Sequence, residues 1–100
     1  MSSNAPYVVT DAAGIRKLNA LVRELPGNSH VVLFLRDGNT CEGMVTVQPS
    51  MQVFRDHEGV EGSNAEVQME RPATPAWHRR IWLDQIVRVE HLDSALASER

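Results

Sequence analysis

The sequence is poor in several residue types, and each shortage excludes a class of protein. Its single cysteine, Cys41, rules out an intrachain disulfide and a multi-cysteine metal site. No apolar run approaches the roughly 20 residues that cross a bilayer. The 10 basic and 13 acidic residues leave a formal charge of −3, so the chain lacks the positive field of a general nucleic-acid binder. We therefore expect a cytoplasmic protein that does not enter the membrane.

The composition that remains is that of an ordinary globular domain. Hydrophobic residues make up 42% of the chain and charged residues 23%, which suits one packed core. A chain of 100 residues is too short for two cores, so we expect a single domain, residues 1–100. The polar ends, residues 2–4 and 94–100, have the composition of frayed tails around an ordered core of roughly residues 7–92.

One amphipathic helix is predicted near the N-terminus. Apolar residues recur there at three- and four-residue steps and form a single stripe: Ile15, Leu18, Leu21, Val22 and Leu25. Thr10 or Asp11 can cap the start of this helix, and Pro26 with Gly27 ends it. The helix should therefore lie on the surface with its stripe against apolar neighbours.

An antiparallel hairpin is predicted to follow the helix. Residues 30–36 are apolar on both faces, which indicates a strand covered on both sides. Asp37 and Gly38 favour the positive φ angles of a tight turn into a second strand at residues 40–48. Gly43, in the middle of that strand, permits a sharp bend or a close backbone contact.

The second half of the chain is predicted to add further antiparallel strands. The segments are a strand at 51–55, a polar loop at 57–64, a half-exposed strand at 65–70, a proline-containing excursion at 71–76, and strands at 80–83 and 86–92. The predicted fold class is mainly β, with an N-terminal α-helix followed by a strongly bent five-stranded antiparallel sheet or small open barrel.

This order of elements resembles the Sm-like fold of the Sm and like-Sm proteins and of the bacterial host-factor RNA chaperones. Residues 31–38, followed by Gly43, are similar to the first Sm motif, which is a strand, an Asp-Gly turn and a strand with a glycine. Residues 81–89 are similar in pattern to the second motif. The resemblance covers residues 10–92 and implies a divergent Sm-like protein of an uncharacterised bacterial family.

The same resemblance implies that the base pocket of the family is degenerate in this chain. In that family an Asp-x-x-Met-Asn segment and an Arg-Gly pair hold one flipped base. The corresponding positions here are Gln48, Met51, Gln52, Leu83 and Asp84. A leucine in place of the arginine loses a cationic stacking group, and Asp84 would repel phosphate. We therefore expect no uridine pocket.

Residues 76–82 form the one stretch that mixes cations with aromatic side chains. The candidates for nucleic-acid binding are Trp77, Arg79, Arg80 and Trp82. These side chains have the chemistry to stack on bases and to hold phosphates. Tryptophans beside a strand are more often buried in a core or a subunit contact, with the arginines solvated or paired to Glu66 and Glu70 on a neighbouring strand. Both interpretations stay open at this stage.

Neither a metal site nor a catalytic site is predicted. Asp56, His57 and Glu58 bring three ligand types together, but consecutive residues of an extended chain point to opposite faces. Cys41 follows the hairpin turn and is best explained as a small buried apolar group. We expect no enzyme activity and no cofactor.

Two functions therefore remain, and each has its own expected partner. The first is a non-catalytic binding or assembly domain whose partner is another copy of itself or another protein. The second is a divergent RNA-binding protein that uses the segment from Trp77 to Trp82. For the first, we expect a homodimer rather than a ring of six or seven subunits, because prolines in residues 71–76 disturb the approach to a ring-closing strand and residues 65–70 could pair with their own copy.

Overall fold

A computed structural model describes residues 3–92, which form one helix and two sheets. The helix α1 is Ala12–Arg23. The strands are β1 Ser3–Asn4, β2 His30–Leu35, β3 Thr40–Val45, β4 Gln52–Arg55, β5 Glu61–Asn64, β6 Glu66–Glu70, β7 His78–Trp82 and β8 Ile86–His91. A 3-10 turn, Leu83–Gln85, connects β7 to β8.

The helix forms where its pattern predicted it. The side chain of Asp11 accepts a hydrogen bond of 3.0 Å from the backbone N–H of Gly14 and so caps the first turn. Leu18 and Leu21 are buried, and α1 packs beside β5 and the 3-10 turn. Burial of one such leucine stabilises the fold by about 1.5–3 kcal/mol relative to an exposed one. The apolar stripe therefore attaches the helix to the strands.

The main sheet has five strands in the order β7-β6-β3-β2-β8, and all neighbours are antiparallel. Its edge strands β7 and β8 do not pair with each other, so the sheet is not closed into a barrel. Its largest fully buried side chains include Leu33 on β2 and Met69 on β6. The predicted class, mainly β with an N-terminal helix and a five-stranded antiparallel sheet, is confirmed.

A smaller sheet, in the order β1-β4-β5, corrects two predictions. Residues 61–64 were expected in a polar loop but form β5, which pairs with β4. The connecting turn is tight because the side chain of Asp56 accepts the backbone N–H groups of Glu58 and Val60, and Gly59 has a φ of 82°. Ser3–Asn4 were expected in a frayed tail but pair in parallel with β4. The predicted tail at 94–100 lies outside the described residues.

Further details of the strands and of the hairpin turn differ from the sequence-based expectation. The strand expected at 40–48 ends at Val45, and the strand expected at 80–83 is β7, His78–Trp82. Positive φ angles were expected at both Asp37 and Gly38 of the hairpin turn. Gly38 has a φ of 89°, whereas Asp37 has a negative φ, so the turn contains one left-handed residue rather than two.

The strand expected to be exposed at 65–70 is β6, which is hydrogen-bonded to β3 and β7 on its two sides. It is therefore not an edge available for pairing with a second copy.

Candidate functional site

Trp77 lies just before β7 and is flanked by two cations. The guanidinium carbon of Arg71 lies 4.0 Å from the centroid of the Trp77 ring, and that of Arg79 lies 5.2 Å from it. Cation–π contacts of this kind contribute about 0.5–1 kcal/mol at exposed sites. The Nε of Arg71 also donates a hydrogen bond of 2.9 Å to the backbone carbonyl of Glu42. Arg71 is thus held over the ring by β3.

Gly43 allows Trp77 to approach the sheet. A Cβ atom on Gly43 would lie 2.9 Å from the carbonyl oxygen of Glu70 and 3.3 Å from the Trp77 ring. Both separations are shorter than ordinary van der Waals contact. Of the two roles that the sequence allowed for this glycine, the structure therefore supports the close backbone contact.

A surface cleft of about 410 Å³ opens beside the Trp77 ring. Its lining includes Arg71, Arg79, Thr40 and the buried Cys41. Burial raises the pKa of the Cys41 thiol, while the charges of Arg71 and Arg79 act in the opposite direction. Because the net direction is upward, the thiol is protonated at neutral pH and is a poor nucleophile. Cys41 is buried, as its sequence context predicted.

Trp82 points to the other face of β7, because side chains alternate along a strand. Its ring meets the ring of Phe54 edge to face, with centroids 5.0 Å apart and an interplanar angle of 88°. It lines a second cleft, of about 440 Å³, together with Gln48, Gln52 and Glu66. The four residues Trp77, Arg79, Arg80 and Trp82 are therefore not one cluster: only Trp77 and Arg79 come together.

Of the two possibilities that the sequence allowed for the β7 arginines, solvation or pairing with acidic residues of β6, the pairing is absent from residues 3–92. Register places Gln68 opposite Arg80 and Met69 opposite Arg79, so no carboxylate lies directly across from either arginine. No ion pair joins the arginines to Glu66 or Glu70 within those residues. Arg80 is exposed and Arg79 remains beside Trp77.

The five positions that correspond to the family's base pocket do not converge on one cavity. Leu83 is fully buried in the core, and Met51 packs against that core. The carboxylate of Asp84 accepts hydrogen bonds from Asn64 at 2.9 Å and from Gln85 at 2.8 Å. Gln48 and Gln52 instead line the Trp82 cleft. The Nε2 of Gln48 donates a hydrogen bond of 3.0 Å to the carbonyl oxygen of Val22, and Gln52 is exposed on β4.

Asn64 and Arg71 have structural roles that the sequence did not predict. The Asn64 side chain is fully buried, donates to the carbonyl of Tyr7 as well as to Asp84, and accepts the N–H of Ala65. It thereby ties β5 to the N-terminal segment and to the 3-10 turn. An asparagine in a polar stretch gives no signal of this role. Arg71 stands beside a proline in an irregular segment, so no strand alternation indicated its contact with Trp77.

The remaining expectations concern metals and membranes. Asp56 and Glu58 belong to the β4–β5 turn, where the carboxylate of Asp56 binds backbone N–H groups. Within residues 3–92, no three His, Cys, Asp or Glu side chains are grouped as metal ligands would be. In the same part of the chain, no helix has the length and apolar character to cross a membrane.

Comparison with known proteins agrees with the fold. Residues 2–92 match the model of a domain of unknown function, DUF3247. The chain is also similar to XC5848 from Xanthomonas campestris, with a TM-score of 0.84 and 36% sequence identity over 90% of this chain and 97% of that one. The crystal structure of XC5848 is described as adopting a novel variant of the Sm-like motif. No curated protein matches the chain. The resemblance to the Sm-like fold is confirmed.

Proposed function

Since this chain belongs to the family DUF3247 and has an Sm-like fold, we propose that it is a non-catalytic binding and assembly domain with a degenerate base pocket. One observation carries this proposal. At the two positions where the Sm resemblance expects an Arg-Gly pair, Leu83 is fully buried and the carboxylate of Asp84 binds Asn64 and Gln85. Both side chains stabilise the fold and neither is presented to a base.

The charge of the neighbouring cleft supports the same conclusion. The cleft beside Trp82 contains the carboxylate of Glu66, and its lining within residues 3–92 has no lysine or arginine. Nucleic-acid affinity comes largely from cations that neutralise phosphates. A uridine nucleotide entering this cleft would therefore meet repulsion where the family pocket offers a cation.

The open sheet supports assembly as the alternative use of the fold. Strands β7 and β8 each have one side that pairs with no other strand among the described residues. Exposed edges of this kind pair with other strands, including copies of themselves. We expect a homodimer, because a two-fold contact closes on itself and needs one surface rather than two. The cytoplasm is the expected compartment.

RNA binding tests the first part of this proposal. We expect fluorescence anisotropy to detect no micromolar binding of oligo-U to the full chain at physiological salt. Micromolar or tighter binding by the wild type would overturn the degenerate pocket. Weak binding that appears only at low salt would be non-specific phosphate attraction and would agree with the proposal.

One observation favours RNA binding by a different surface as the second candidate. Arg71 and Arg79 flank Trp77, so an aromatic platform lies between two cations. In this case oligo-A and mixed RNA should bind with a steep salt dependence, and Arg79→Gln should reduce the salt slope by about one. Arg80→Gln, on the opposite face of β7, is the matched control. Equal effects of the two substitutions would reject the Trp77 surface.

A further inference from the structure

We propose that two copies of this chain pair along the free edge of β8, in antiparallel register, with Val89 of each copy on the two-fold axis. This inference rests on the assembly function proposed above and names the surface that assembly would use. Four features of the β8 and β7 edges carry it: the direction of the β8 backbone groups, the spacing of charges along β8, the exposed apolar groups of β8 and the contrast with β7.

The backbone direction of β8 follows from its pairing with β2. The N–H of Leu92 donates to the carbonyl of His30 at 2.7 Å, and Glu90 and Arg88 lie opposite Val32 and Phe34. In an antiparallel pair, successive residues direct their N–H and C=O groups to opposite sides of the strand. Leu92, Glu90 and Arg88 therefore turn toward β2, while Val89 and His91 direct their backbone groups to the free edge.

This direction restricts the symmetric registers that can form hydrogen bonds. Across a two-fold axis perpendicular to the sheet, one residue of β8 must lie opposite its own copy. If that residue is Val89, its N–H and C=O meet those of Val89 in the second copy. His91 then lies opposite Val87 of that copy, the residue at which a bulge shifts the β2–β8 register. A register centred on Arg88 or Glu90 would use backbone groups already bonded to β2.

The charges of β8 favour the register centred on Val89. That register places Arg88 opposite Glu90 of the second copy, and the symmetry repeats the pair. Within one chain these two side chains already lie on one face, with Nη1 and Oε2 2.6 Å apart. The guanidinium of Arg88 also lies 3.8 Å from the centroid of the Phe34 ring, which orients it. Opposite charges directly across a strand pair stabilise the pairing, whereas like charges destabilise it.

The exposed apolar groups of β8 fit the same contact. Val87 has a relative exposure of 47%, which is high for a side chain of this type. Val87 would come opposite His91 of the second copy, and Val89 would pack against its own copy. Cross-strand pairs of β-branched residues are favourable in antiparallel sheets. The contact would therefore cover apolar surface while pairing all four charges.

The other free edge, β7, is less suited to self-pairing. The N–H of Thr46 donates to the carbonyl of Gln68, so Gln68 turns toward β3 and its neighbours turn toward β7. Through the β6–β7 register, Arg80 then directs its backbone to the free edge. A symmetric pairing centred there would put Arg80 opposite Arg80. Cationic side chains on an edge strand are a common means of preventing such pairing.

Charge reversal tests the proposed edge in the full chain. By sedimentation equilibrium, the wild type should have twice the 11.2 kDa mass of one chain. Arg88→Glu and Glu90→Arg should each weaken the dimer by roughly tenfold or more, because two attractive pairs become repulsive. An equimolar mixture of the two variants should re-form dimers, since each repelling chain then meets its complement. The double variant Arg88→Glu with Glu90→Arg should dimerise like the wild type, and Arg80→Glu, on β7, should have no effect.

The mixture also controls for folding, because a chain that has lost its fold cannot recover the dimer on mixing. A wild-type monomer would overturn both this inference and self-assembly as the use of the open sheet. A dimer that both single charge reversals leave intact would overturn the β8 edge and leave the assembly function standing. A mass six or seven times that of the chain, together with sensitivity to Arg80→Glu, would overturn the two-fold contact in favour of a ring through β7.

Discussion

Trp77 and Trp82 lie at opposite ends of β7, within six residues of each other in the sequence, yet their surroundings differ in charge and in packing. Trp77 is flanked by Arg71 and Arg79 and lies against the backbone of β3. Trp82 packs edge to face on Phe54 beside the amides and carboxylate of the second cleft. One tryptophan is therefore in a cationic environment and the other in a neutral to acidic one.

The difference shows why a cluster in sequence need not be a site in space. Along a strand, side chains at odd and even positions point to opposite faces, so Arg79 lies beside Trp77 while Arg80 points to the opposite face. A helix would instead have brought residues three or four apart onto one face. The composition of residues 76–82 was informative about chemistry, but the strand period determined which of those residues can act together.

The largest expected effect on this comparison comes from removing the partner of Trp82. Phe54→Ala deletes a buried ring from the small sheet, and we expect it to lower the free energy of unfolding by about 3 kcal/mol. The measurement is urea denaturation, with tryptophan emission recorded in a Trp77→Phe background so that Trp82 is the remaining reporter. The emission of the folded variant should shift to longer wavelength as the Trp82 ring becomes wetter.

Val53→Ala, at the adjacent and 55% exposed position of β4, is the matched control and should change stability by less than roughly 0.5 kcal/mol. If Phe54→Ala cost no more than this control, the edge-to-face pair would not be a stabilising contact, and Trp82 would be available to a ligand instead.

The parts of the fold that sequence predicted are those with a strong period or a strong turn. The stripe of α1 and the Asp-Gly hairpin between β2 and β3 have such signals, and both were found. The β4–β5 hairpin was missed because residues 60–64 include one apolar side chain, Val60, and therefore show no alternation. Its pairing is fixed by local hydrogen bonds to Asp56 in the turn and by the burial of Asn64, which depends on the tertiary fold.

The candidate sites were predicted as residue types but not as groupings. Arg71 reaches Trp77 only because the excursion at 71–76 returns the chain to β7, a path that no local pattern encodes. The strand expected to pair with its own copy was also wrong: β6 alternates between buried and more exposed side chains as predicted, but both of its edges are bonded to neighbouring strands. Alternation reports on the faces of a strand and contains no information about its edges.

The second prediction tests the close contact that positions Trp77. Gly43→Val should lower the free energy of unfolding by roughly 1–3 kcal/mol, because the new Cβ would lie 2.9 Å from the Glu70 carbonyl and 3.3 Å from the Trp77 ring. The same urea series measures it. Gly27→Ala is the control, since a Cβ there would have ordinary contacts, the nearest at 3.5 Å. An unchanged midpoint for Gly43→Val would mean that Trp77 and β6 can move away from β3 at little cost.

The smallest expected effect concerns Cys41, which lines the Trp77 cleft. Burial raises the pKa of its thiol in the folded state above that of the unfolded chain, so the unfolded thiol ionises first as the pH rises. Its contribution to stability is therefore fully present below the ordinary thiol pKa and is lost as the pH rises through the higher folded value. Urea midpoints measured from about pH 7 to 10 should fall less steeply for Cys41→Ala than for the wild type. Parallel curves would show that the charges of Arg71 and Arg79 cancel the effect of burial on the Cys41 pKa. The cleft beside Trp77 would then be more cationic than a raised thiol pKa implies.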